Sequence, residues 1–232
     1  MDLVCLGTVC DVVPVITIDG PAGSGKGAVA RQLAEMMGYH YLDSGALYRI
    51  LVYSSQQKHI EENDTNALVE LCQHMSVHFK IMSAEENVRT YLNNQDVSDQ
   101  LRTEECATRA SQLATYPQVR SALLEKQLEF RKPPGLVAEG RDMGTIVFPD
   151  AKSKVFLTAS THERARRRQK QLMKQGISAS LDRLLQEIEA RDSRDENRVI
   201  SPLRPATDAA LVDSTNLSIE QVVQRIAVLA QR

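Results

Sequence analysis

The sequence predicts an α/β domain built on a parallel sheet, and three observations carry that expectation. An apolar run, Val12-Val-Pro-Val-Ile-Thr-Ile18, leads into a glycine-rich loop, Gly20-Pro-Ala-Gly-Ser-Gly-Lys26-Gly27, and then into a helix-forming stretch that ends at Met37. Short apolar runs at 39–42, 136–138, 155–157 and 210–213 alternate with helical segments, as strands joined by crossover helices do. Residues 60–110 break that alternation with short, closely spaced segments, so they read as an insert in one domain.

A chain of 232 residues suits a single domain over 1–232 and can bury a sizeable core. Its 42% hydrophobic and 25% charged content, with a formal charge of −2, describes a soluble globular protein. No global basic excess points to nucleic acid, so the expected partner is a small molecule; the chain is expected to act as a monomer. Cys5, Cys10, Cys72 and Cys106 form no CxxC pair, which predicts reduced thiols in a cytoplasm and no structural metal. Residues 1–12 are apolar but carry Asp2 and no Lys or Arg; they read as an extension into the first strand, not as a signal peptide. No run approaches the ~18 apolar residues of a membrane span.

The glycine loop sets the first functional expectation. Gly20, Pro21, Ala22, Gly23, Ser24, Gly25, Lys26, Gly27 and Ala28 fit a phosphate cradle, in which successive backbone N–H groups point at phosphate oxygens and a lysine adds a mobile positive charge. The helix behind it offers its N-terminus to the same anion, so the loop points to triphosphate binding. Gly38 then reads as a helix stop and Tyr39–Leu42 as a second parallel strand. Asp43-Ser-Gly-Ala-Leu-Tyr-Arg49 follows at its carboxyl end, where open parallel sheets hold ligands. Asp43 or Ser44 can cap the helix through Leu47–Tyr53, whereas Arg49 stands as a candidate substrate contact.

Within the insert, Val77–Ile81, Val88–Leu92 and Gln95–Val97 read as antiparallel strands, with Asn93-Asn94 as a turn. The patch is expected to pack on one edge of the core. His74 and His78 are spaced for a shared metal on a helix, but a helix-to-strand junction makes them ordinary core or surface histidines. Thr103–Glu129 predicts two helices broken near Tyr116-Pro117 and carrying Ser111 and Arg120. The strand Leu136–Ala138 delivers Glu139-Gly-Arg-Asp-Met-Gly144 to the end of the sheet that holds the glycine loop. The last helix starts at Ser218, where Gln221 completes a capping box.

Residues 162–204 hold the basic stretch Glu163–Arg168, a charged helix over Leu181–Glu196, and Arg198. Such a helix reads first as a solvated face and second as a nucleic-acid surface. Arg191, Arg194 and Arg198 recur at spacings of three and four and share a helix face, so opposite a phosphate loop they are expected to close as a lid.

With these pieces placed, the sequence resembles the bacterial cytidylate kinases of the nucleoside monophosphate kinase group. The resemblance runs from about Val15 to the C-terminus and is carried by ITIDGPAGSGKG at 16–27, LDSGALYR at 42–49, EGRDMGTIVFPDA at 139–151 and RDSRDENR at 191–198. It implies a P-loop NTPase fold with a five-stranded parallel sheet, a nucleoside monophosphate-binding insert and a short helical lid. It also implies transfer of the ATP γ-phosphoryl group to CMP or dCMP with Mg²⁺ held through phosphates and waters. By the same resemblance Ser44, Ser111, Arg120 and Asp142 face the cytidine moiety, Arg49 and Arg141 hold its phosphate, and Arg191, Asp195 and Arg198 lie near ribose and phosphates. Lys26, Arg141, Arg191 and Arg198 are the expected catalytic set.

The chemistry of cytosine supports that division. A carboxylate such as Asp142 accepts from its amino group while Arg120 donates to its ring nitrogen, and uracil reverses both groups. Two positions depart from the family pattern: Ala28 stands where threonine is usual, and Glu139 where aspartate is commoner. The rival readings are a kinase of the same architecture acting on UMP, AMP, shikimate or dephospho-coenzyme A, and a nucleotide-dependent switch. The switch expects a guanine-selecting Asn-Lys-x-Asp stretch, which the sequence lacks.

Overall fold

The computed structural model describes residues 12–82, 88–174 and 176–230. Nearly all of the expected N-terminal extension, residues 1–11, lies outside the described residues. Five parallel strands form the central sheet: β1 (Val15–Asp19), β2 (His40–Asp43), β6 (Leu136–Gly140), β7 (Ser153–Thr158) and β8 (Ala210–Asp213). Their order is β2-β6-β1-β7-β8, with β1 in the middle. All five residues of β1 are buried, as expected for a strand covered on both faces.

One face of the sheet is covered by α1 (Lys26–Met37) and α8 (Ile219–Ala230), which pack Val29, Leu33, Val222 and Ile226 against Ile16, Ile18, Val155 and Val212. The other face is covered by α2 (Ser44–Gln57), α3 (Thr65–His74) and α5 (Pro117–Leu128), whose Leu47, Leu51, Leu68 and Leu123 meet Leu42, Leu136 and Ala138. Each fully buried leucine contributes about 1.5–3 kcal/mol.

Helix boundaries follow local chemistry. Gly38 ends α1 in the left-handed conformation at φ 65° and returns its N–H to Ala34 and Glu35. Asp43 caps α2 by accepting from the Ala46 N–H at 3.0 Å. Ser44 is thereby released from capping. Thr103 caps α4 (Glu104–Leu113) through the Cys106 N–H, and Pro117 opens α5 at its first turn. Ser218 and Gln221 form the expected reciprocal box, at 3.2 and 2.9 Å.

A second sheet, antiparallel, joins β3 (Val77–Lys80), β4 (Arg89–Leu92) and β5 (Gln95–Asp96) in sequence order. Asn93 and Asn94 both take positive φ, 49° and 66°, as a two-residue hairpin turn requires. Phe79 meets Tyr41 of β2 edge-to-face at 5.8 Å between ring centroids, which seats this sheet beside the β2 edge of the core. His78 stacks on Tyr91. Among the described residues, no group of three His, Cys, Asp or Glu side chains is placed to hold a metal ion. Cys72 and Cys106 are buried free thiols.

This topology gathers the polar sequence at one end. β1 runs into the glycine loop, β2 into Ser44 and Arg49, and β6 into Arg141 and Asp142. The strands pair in register, Asp19 beside Gly140 and Asp43 beside Glu139. The carboxyl ends of three adjacent strands therefore open on one crevice, where α/β sheets bind ligands.

Candidate active site

The donor side of the crevice is the glycine loop. Gly23 and Gly25 take φ of 78° and 91°, turning the chain from strand to helix within a few residues. At Gly27 a Cβ would lie 2.8 Å from Glu139 Oε1, so a residue with a side chain cannot follow Lys26 without moving that carboxylate. Pro21 is buried, and Ser24 Oγ is buried without a hydrogen-bond partner. Ala28 lies within the first turn of α1.

Lys26 Nζ donates to Pro21 O at 3.1 Å and is only 9% exposed. Burial pushes its ammonium down and Arg141 adds to the effect, while Glu139 opposes it. Burial and then Asp43 push the Glu139 carboxyl up. Tyr41 donates to Glu139 Oε1 at 2.6 Å, from the strand next to β6. A lysine and a carboxylate thus sit desolvated together at the mouth of the loop.

The acceptor side is a cluster of arginines. Arg141 donates from Nε to Asp195 Oδ2 at 2.8 Å, and Arg198 donates to Asp195 Oδ1. Asp195, on α7 (Leu181–Glu196), is 1% exposed on its side chain. Burial alone would raise its carboxyl, but Arg141 and Arg198 hold it below the usual carboxylate range. Arg191 is the reverse case: burial, reinforced by Arg141, pushes its guanidinium down to about 10 against the pull of Asp195. Its Nε is buried without a hydrogen-bond partner. Arg49 and Arg198 add to the positive field at Arg191. Several guanidinium groups around one bridging carboxylate leave a positive surplus aimed into the crevice.

Arg120 and Asp142 form an ion pair with side chains 11% and 9% exposed, and Arg120 also donates to Ala114 O at 3.2 Å. Ser111 Oγ accepts from Arg198 Nη2 at 3.4 Å. Ser111, Arg198 and Arg194 line a cavity of about 780 Å³ with Gln112 and Tyr116, and Arg120 and Tyr48 line a neighbouring one of about 520 Å³. Such volumes suit a nucleotide-sized ligand. Ser44 is buried, its Oγ 2.6 Å from where a Cβ on Gly140 would lie.

Lys26, Arg141, Asp142, Asp195 and Arg198 are thereby brought together around the carboxyl ends of β1 and β6. The lid arginines do not act as one face, however. Arg191 and Arg198 turn into the charge cluster, while Arg194 is exposed on the cavity wall.

Sequence reasoning missed several supports. Within α6 (Thr161–Lys174), the basic stretch is not a solvated face. Arg164 is 4% exposed and donates to Ala22 O at 3.1 Å, to Ala159 O at 3.0 Å and to Thr161 Oγ1, and it pairs with Asp192 of α7. Arg167 donates to Ser24 O at 3.1 Å, and Arg168 pairs with Glu104 of α4. Arg164 and Arg167 thus hold the Ala22 and Ser24 carbonyls of the glycine loop. Asp19, Tyr41 and Asp192 were equally invisible, because each acts through a partner distant in sequence.

A glycine loop between parallel strand and helix, faced across a crevice by arginines, defines a phosphotransferase of the P-loop kinase class. Residues 16–232 match the family model described as cytidylate kinase. Cytidylate kinases from Salmonella choleraesuis (strain SC-B67) and Shigella boydii serotype 4 (strain Sb227) are each 51% identical to it over 214 residues, covering 92% of this chain and 93% of theirs. The chain belongs to the cytidylate kinase family. A solved shikimate kinase from Bacteroides thetaiotaomicron aligns at 16% identity with a TM-score of 0.45, covering 95% of this chain and 99% of its own.

Proposed function

We propose that this crevice transfers the γ-phosphoryl group of ATP to CMP or dCMP, giving ADP and CDP or dCDP. The observation that carries the reading is the positive surplus around Arg191, opposite a phosphate loop and beside the buried Arg120–Asp142 pair. An anion that satisfies Arg191 Nε and restores full charge to Lys26 relieves two desolvated cations at once.

Phosphoryl transfer needs positioning and charge neutralisation more than covalent catalysis. In this reading Lys26 follows the β- and γ-phosphates, Arg49 and Arg141 hold the acceptor phosphate, and Arg191 and Arg198 meet charge on the transferring oxygens. Asp195 fixes Arg141 and Arg198 and faces the ribose, while Ser44, Ser111, Arg120 and Asp142 read the nucleoside. The acceptor phosphate is already anionic, so no general base is required.

The unpartnered Ser24 Oγ and the N–H groups of the loop fit the triphosphate. Glu139 and Asp43, beside Lys26, would hold Mg²⁺ largely through waters and phosphates, since Ala28 offers no hydroxyl. The ion would supply positive charge against the triphosphate as negative charge develops there. The Arg168–Glu104 pair and the Arg198–Ser111 contact link α6 and the segment after α7 to α4 across the crevice.

The test is ADP release from ATP and Mg²⁺ against CMP, dCMP, UMP and AMP. CMP or dCMP should give the highest kcat/KM, with little ADP formed when the acceptor is omitted. A best response to UMP or AMP would overturn the assignment.

A further inference from the structure

We infer that Asp19 is a positioning residue for acceptor recognition: its carboxylate caps the turn after Asp142, so that the Asp142 carboxylate is free to pair with Arg120 and meet the base. This rests on the reading of the crevice as a CMP site.

Directly after Asp142 the chain winds into one π-helical turn, Met143–Val147. Ile146 and Val147 both return their N–H groups to Asp142 O, at 2.9 and 3.2 Å. The first N–H groups of any helical turn lack partners within it, and an aspartate at the preceding position usually folds back to accept from them. Asp142 occupies that position and makes no such bond. Asp19 takes the role instead, from 124 residues away in sequence: Oδ1 accepts from the Met143 N–H and Oδ2 from the Gly144 N–H, both at 2.8 Å.

The seat is tightly made. Asp19 is 4% exposed and ends β1, beside Gly140 of β6. A Cβ on Gly144 would meet Thr17 Oγ1 of β1 at 2.8 Å, so the turn lies directly on the strand that leads into the glycine loop. Burial pushes the Asp19 carboxyl up to about 6, and the two N–H bonds oppose that rise. Asp19 therefore joins the two halves of the crevice. It closes the last residue of the donor strand onto the loop that carries Arg141 and Asp142.

The experiment compares wild type, Asp19→Asn and Asp19→Ala, with Thr17→Val as an equally buried control on the same strand. CMP affinity is measured by calorimetry without ATP, and kcat/KM is measured with CMP and with UMP. Asn keeps one acceptor and sets an amide against the second N–H, so CMP affinity should fall about tenfold in Asp19→Asn and further in Asp19→Ala. The preference for CMP over UMP should shrink in the same order. The KM for ATP should stay within about twofold, and Thr17→Val should resemble wild type.

An unchanged CMP-to-UMP ratio, or equal losses for ATP and CMP, would overturn the inference. If Asp19→Asn does not fold, Gly144→Ala lifts the same turn off β1 with Asp19 intact and must show the same loss of CMP selectivity. Failure of both variants to fold would assign Asp19 to folding and reject the positioning role. Wild type that ignores CMP would instead reject the substrate assignment, a separate outcome.

Discussion

On the donor side of the crevice, one continuous stretch from Gly20 to Ala28 forms the phosphate cradle, and its geometry comes from backbone: positive φ at Gly23 and Gly25, and a helix that begins at Lys26. On the acceptor side, Arg49, Arg120, Arg141, Arg191 and Arg198 arrive from α2, α5, the residue after β6, the last turns of α7 and the segment just beyond it, and ion pairs with Asp142 and Asp195 fix Arg120, Arg141 and Arg198. A site built from contiguous backbone serves any triphosphate. One assembled from distant side chains discriminates, because each buried group left unpaired by the wrong substrate costs free energy.

The sharpest break of that contrast is Lys26→Ala. It should lower kcat by roughly 10²–10³-fold, as loss of a preorganised cation does, while CMP binding measured without ATP is retained. A loss of CMP affinity on the same scale would mean that the two halves are not separable.

Arg164→Met comes next. It leaves Asp192 and the carbonyls of Ala22 and Ala159 without their buried partner, so it should cost about 3–5 kcal/mol of stability, read from denaturant unfolding. Stability within about 1 kcal/mol of wild type would show that the loop is held without this arginine.

Asp195→Asn tests the charge-built half through pH. The folded-state value of Asp195 lies below that of the unfolded chain, so the folded protein binds fewer protons in the acid range. Its contribution is complete above about pH 4 and is lost as pH falls through the folded value. The stability gap between wild type and Asp195→Asn should stay constant from about pH 6 to 8 and narrow below about pH 4. A gap that widens in acid would contradict the sign.

The smallest effect is expected at Ala28→Thr. Ala28 lies on a partly exposed part of the first turn of α1, so the added hydroxyl should be tolerated, with ATP affinity unchanged or modestly raised in a KM measurement. A severe loss of activity would show that this turn is packed against the triphosphate differently.

These two halves were also unequally legible in the sequence. Strand, loop and helix around Lys26 follow from local pattern, and so do the Gly38 stop, the Asn93-Asn94 turn and the Ser218–Gln221 box, because each is decided within a few residues. Membership of the acceptor set came from motif resemblance at 42–49, 139–151 and 191–198. Its physical logic did not, because the bridging of Arg141 and Arg198 by Asp195 depends on chain segments more than 50 residues apart. The same distance hid Tyr41 behind Glu139, Asp19 behind Asp142 and Arg164 behind the glycine loop. The π-helical turn at Met143–Val147 had no local signal, since its cap comes from β1. Arg194 shows the limit of spacing arguments: its position matches Arg191 and Arg198, yet it stays exposed.

The separation of a general donor half from a selective acceptor half is tested most directly in Asp142→Asn, by measuring the ratio of kcat/KM for CMP to that for UMP together with the KM for ATP. The ratio should fall at least about tenfold with the ATP KM within about twofold of wild type. An unchanged ratio, or a parallel loss on both sides, would contradict the division.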